Sequence, residues 1–151
     1  MLARQSFIIL ILFVAGFSAS CQHSRDKDEN GRNPIDNRLN GKWDVRSKTD
    51  TEEVNGAVKE TDRDVYQPGE KTYEFTKDGR LVITDGFGRH QTTLPVQMTE
   101  GKLYMGEFRK GKEPYSLTFT ATGLEMVKRE EEQKDGQTVV EQEVVVLERQ
   151  L

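Results

Sequence analysis

From Leu39 onward the apolar residues fall at every second position in short runs, and no stretch carries an apolar stripe at helical spacing. That alternation is the mark of half-buried strands and predicts an all-β domain. Trp43 and Val45 share one face of a first strand that turns polar towards Val54, where Asn55-Gly56 supplies the dipeptide of a tight hairpin. Pro68-Gly69 marks another turn. Tyr73 and Phe75 alternate with polar residues, and Asp78-Gly79 then turns the chain into a strand with Leu81 and Ile83 on one face. The turn at 85–88 leads to Leu94, Val96 and Met98, and Glu100-Gly101 leads to Leu103 and Met105. Beyond a charged stretch at 107–113, alternation returns at Tyr115, Leu117, Phe119 and Ala121, and Thr122-Gly123 turns to Leu124 and Met126. Residues 128–135 read as a solvated hairpin tip ending at Gly136, and a last strand covers about 138–149.

Roughly eight short antiparallel strands joined as consecutive hairpins suit a small eight-stranded up-and-down barrel, which leaves no unpaired edge. A β-sandwich, which usually needs longer crossing connections, is the alternative. Val144, Val145, Val146 and Leu147 are consecutive, so the last strand is apolar on both faces. Its outer face calls for cover, from residues 54–66, from a second copy or from a partner protein.

The N-terminus has a different character. Arg4, the apolar run 7–17 and small Ser18, Ala19 and Ser20 follow the order of a signal peptide over residues 1–20. The apolar run is too short for a permanent membrane span, which needs roughly 20 residues. Cys21 is the only cysteine, so it has no partner for an internal disulfide, and a thioether to lipid would remove an otherwise reactive thiol. Plain secretion is the competing reading. Residues 21–40 are then expected to hold the lipidated cysteine and a flexible tether, with Ile35 and Leu39 as its only large apolar residues. The domain is expected over 41–151.

Ser18-Ala19-Ser20-Cys21 resembles a lipobox, which implies lipid on Cys21 and anchorage to a membrane of a bacterial envelope, the outer membrane being expected. The acids Asp26, Asp28 and Glu29 resemble signals for surface export, and which membrane face carries the lipid stays open. Gly41-Lys42-Trp43 resembles the Gly-x-Trp opening of lipocalin-like domains, and Val146-Leu147-Glu148-Arg149 resembles their last strand. The succession from Tyr73 to Ile83 is similar to the small lipocalin-like lipoproteins common among Bacteroidetes. The resemblance covers about residues 39–151. It implies a lipocalin-like barrel in which Gly41, Trp43 and Arg149 are structural, with Trp43 plugging the closed end and Arg149 lying across it as a cation–π lid.

Charge and chemistry narrow the function. A net charge of −4, from 26 acidic and 22 basic side chains, gives no one-signed field for nucleic acid. The two histidines, His23 and His90, are far apart in the sequence and the cysteine is committed, so neither a metal site nor a cofactor is expected. His90 is the only candidate for a catalytic triad and reads as an exposed loop residue, so no catalytic residue is assigned. Glu130 to Glu132, Glu141 and Glu143 read as solvent-facing, and Gly86-Phe87-Gly88 reads as a turn. Two functions remain. In one, a small hydrophobic ligand is bound inside the barrel by Tyr73, Phe75, Met98, Met105, Tyr115, Leu117, Phe119 and Met126. In the other, the barrel is filled and the protein is a non-enzymatic interaction or structural module that meets an envelope protein or forms a homodimer.

Overall fold

The apolar alternation builds strands whose inward side chains meet in one core. The computed structural model describes residues 35–150; the expected signal peptide, Cys21 and residues 22–34 of the tether lie outside the described residues. Among the described residues nine strands follow one another: β1 (Gly41–Val54), β2 (Ala57–Val65), β3 (Thr72–Thr76), β4 (Arg80–Asp85), β5 (His90–Thr99), β6 (Lys102–Met105), β7 (Ser116–Phe119), β8 (Gly123–Lys134) and β9 (Gln137–Arg149). All pairings are antiparallel, in the order β6-β5-β4-β3-β1-β9-β8-β7. The two ends of this path meet at one bridge, where Leu103 and Tyr115 exchange backbone hydrogen bonds of 2.9 and 2.8 Å. The fold is therefore a nearly closed eight-stranded antiparallel barrel and not a sandwich.

The ninth strand is β2, and it corrects one expectation. Asn55 and Gly56 both adopt positive φ, 52° and 78°, which is the backbone of the tight turn their types favour. They fold residues 57–65 back along β1. These residues do not cover the outer valines; they widen the sheet at its edge, and every one of them is exposed. Residues 128–134 likewise are not a loop at a hairpin tip but the continuation of β8, which turns only at Asp135-Gly136. Both segments are strongly charged and wet on both faces, so hydrophobic alternation cannot reveal them.

A bulge at Arg46 marks where barrel becomes projection. Val45 pairs with Leu147 and Ser47 with Val146, leaving Arg46 as the extra residue. At the same point the other edge of β1 passes from β3 to β2, with residues 66–71 looping between them. Beyond the bulge, β2-β1-β9-β8 run on as a four-stranded tongue.

The core also recruits residues assigned to the tether. Ile35 is 6% exposed and Leu39 0%, so residues 35–40 belong to the domain. A turn with Leu39 N–H donating to Asp36 O at 2.9 Å directs Leu39 inward, and Trp43 Nε1 donates to Leu39 O at 2.8 Å. Arg149 stacks over the Trp43 ring, its guanidinium carbon 4.2 Å from the centroid. Its nitrogens donate to the backbone oxygens of Asn40, at 3.0 Å, and Arg38. Gly41, at φ 113°, lets the chain pass beneath: a Cβ there would lie 3.3 Å from Arg149 Nη1.

Leu39→Ala is expected to cost about 2–5 kcal/mol, the range for a leucine fully enclosed in a core, in urea unfolding of the domain with its native N-terminal extension. A loss below about 1 kcal/mol would place Leu39 outside the cooperative unit.

Candidate functional site

The side chains expected to bind a ligand do share one surface. Tyr73, Phe75, Tyr115 and Met126 are buried within the core cluster, and Met98, Met105, Leu117 and Phe119 are half-buried and packed against it. A void large enough for water would leave accessible surface on its walls, yet Leu81, Leu103, Met126 and Val145 are 0% exposed. No water-sized space therefore touches these four side chains. Leu39 fills one end beneath Trp43 and Arg149.

The other end is closed by polar groups. Tyr115 OH donates to Glu143 Oε1 at 2.7 Å, and Glu143 lies 3.5 Å from Lys48 Nζ and 3.9 Å from Lys128 Nζ. Lys48 also pairs with Asp50 at 3.0 Å. Glu143, expected to face solvent, is instead 17% exposed, because its register on β9 directs it back towards Tyr115. Burial pushes the Tyr73 phenol up to about 12. Burial, then the hydrogen bond with Glu143, raises Tyr115 as well. At Lys48 burial acts to lower the ammonium, but Asp50 and Glu143 more than offset it and leave it above its ordinary value.

Past this cap the inward face continues along the tongue with opposite chemistry. Asp62, Asp50, Glu143 and Lys128 lie side by side across the four strands, and the next row is Glu60, Glu52, Glu141 and Glu130. These residues line a concave trough of about 290 Å³. Directly opposed like charges repel, so the second row weakens the sheet that carries it.

The outer face is built differently. Because Val145 and Leu147 enter the core, Val144 and Val146 point outward, and residues directly opposite them across the ladders share that side. Val65, Ser47, Val146 and Glu125 form one row, Arg63, Thr49, Val144 and Val127 the next. Thr61, Thr51, Gln142 and Arg129 follow, then Val58, Glu53, Val140 and Glu131. Val58 and Val65 are 61% and 70% exposed. Sequence reasoning flagged Val144 and Val146 but missed Val58 and Val65. The Asn55-Gly56 turn was the available signal, since a hairpin turn after one strand requires a returning partner.

His90 begins β5 and is exposed. Among the described residues, no three or more His, Cys, Asp or Glu side chains are grouped so that they could hold a metal ion. No family model matches the chain, and neither does a curated protein or a solved structure.

The tyrosines predict an alkaline weakness. The raised Tyr73 value means that the folded protein keeps a proton which the unfolded chain releases near pH ~10, so this contribution is complete below that pH and is lost as pH rises through about 12. Urea midpoints measured from pH 9 upward should fall across this window. The fall should be shallower in Tyr73→Phe, and an unchanged slope would remove Tyr73 as its source.

Proposed function

We propose that the protein is a membrane-anchored, non-enzymatic interaction module, a lipocalin-like barrel filled with its own side chains and used as the base for a projecting sheet. The observation that carries this reading is the absence of accessible surface on Leu81, Leu103, Met126 and Val145, deep in the barrel where a ligand would have to sit. Closure at both ends supports it: Leu39, Trp43 and Arg149 occupy one mouth and the Tyr115–Glu143 pair the other. The chain enters the domain at the Trp43 end, and β1 runs from there to the tongue tip. At about 3.3 Å per residue a strand of this length spans on the order of 45 Å, so an anchor on Cys21 leaves the tongue directed away from the chain's entry point.

A second reading keeps one observation in its favour. Met98, Met105, Leu117 and Phe119 are only half-buried, which suits a small hydrophobic ligand entering the barrel from that side. Native mass spectrometry of the anchored protein, released from bacterial envelope in detergent, separates the two. Denaturation removes a bound lipophile but leaves a covalent anchor, so the filled barrel predicts one mass before and after. A stoichiometric adduct lost on denaturation would establish the ligand reading instead.

Anchoring is tested by fractionation. The native chain is expected in the membrane pellet and Cys21→Ser in the soluble envelope fraction. Equal distribution of the two would favour plain secretion.

A further inference from the structure

We infer that the outer face of the tongue is where two copies of this chain pair, sheet against sheet. This rests on the interaction-module reading and names its partner as a second copy.

Three features of the tongue lead there. Its two faces differ in charge: the two inner rows, seven carboxylates and Lys128, would repel another copy, whereas on the outer face Arg63 and Arg129 offset all but one of Glu53, Glu125 and Glu131. Its free edges are unsuited to strand addition, because β2 carries Lys59, Glu60, Asp62, Arg63 and Asp64 and the far part of β8 is equally charged. That leaves the outer face, with Val65, Val58 and Val146 exposed on it.

The pattern of exposed valines on that face is self-complementary. A two-fold axis lying between the sheets and perpendicular to the strands sets Val65 over Val58 of the second copy, and Val58 over its Val65. The same operation sets Val146 over the already buried Val140, Thr49 over Thr51 and, at the β8 edge, Glu125 over Glu131, a like-charge pair in reach of water that holds the affinity down. Ser47, Thr49 and Thr51 are small, so the sheets can approach to the roughly 10 Å of face-to-face packing. Four strands about 4.8 Å apart, each some eight residues long at about 3.3 Å per residue, present roughly 500 Å² per copy. The total of about 1,000 Å² reaches the lower limit for a specific interface and points to a dimer of modest affinity.

Sedimentation velocity on the full chain carrying Cys21→Ser, from about 1 to 100 µM, is the test; such a dimer is expected to assemble in the micromolar range. The expected result is a concentration-dependent shift from monomer to dimer. Val65→Lys combined with Val144→Lys should weaken the shift at least ~10-fold, since two ammonium groups would then be covered by Val58 and Gln142 of the second copy with no acid to pair with. Glu52→Gln on the inner face should leave it intact. Thermal unfolding of each variant shows that the domain remains folded; should the lysine pair unfold it, Val65→Ser alone, at an exposed edge position, serves in its place. A monomer throughout the range, or a dimer indifferent to the outer-face substitutions, overturns the proposal. A lipophilic adduct in native mass spectrometry would overturn the filled-barrel reading while leaving this result standing, so the two failures are told apart.

Discussion

The long antiparallel pairing of β1 with β9 is the constraint on which the rest of the molecule depends. It runs from Trp43 opposite Arg149 to Val54 opposite Val139 and belongs to two structures in turn. In its first stretch Trp43, Val45, Val145 and Leu147 supply the core of a nearly closed barrel, and in its second the same strands have left the core behind. The bulge at Arg46 is the hinge between these regimes, because the added residue re-aims β1 where its edge partner changes from β3 to β2. Without that pairing neither Arg149 nor Glu143 would reach the end of the barrel it closes.

The two barrel ends are closed by different physics. At the Trp43 end a leucine from outside the strands, an indole and a guanidinium stack in sequence, and the arginine donates to the backbone oxygens of Asn40 and Arg38. At the tongue end the apolar lining gives way to Tyr115, Glu143, Lys48 and Lys128, which pair with one another before the sheet emerges into water. The like-charge row of glutamates beyond this cap is tolerable only because water screens it. Stability in the tongue therefore comes from its backbone ladder and from the outer valines and threonines more than from the inner face.

Sequence made the barrel legible and left the tongue almost invisible, for one physical reason. Hydrophobic alternation reports strands that have one dry face, such as Tyr73–Phe75, Leu81–Ile83 and Leu124–Met126, whose inward residues were all identifiable. Residues 57–65 and 128–134 have no dry face, so only the turns at Asn55-Gly56 and Asp135-Gly136 betrayed them. Leu39 failed for the converse reason: a single leucine among polar residues carries no period, and its burial depends on a turn that only the folded chain displays. Trp43 and Arg149 were paired through a family resemblance, and the structure places them in contact. The residues expected to line a ligand site lie in or against one core, but pattern alone cannot say whether such a face encloses space or fills it.

That last distinction is the center of the account, and equilibrium titration of the folded chain with a fluorescent hydrophobic probe such as N-phenyl-1-naphthylamine addresses it directly. A filled barrel predicts no saturable rise in fluorescence at micromolar probe. Saturable binding at one site per chain, abolished by Leu117→Trp in a domain that still unfolds cooperatively, would contradict it and return the protein to the class of ligand carriers.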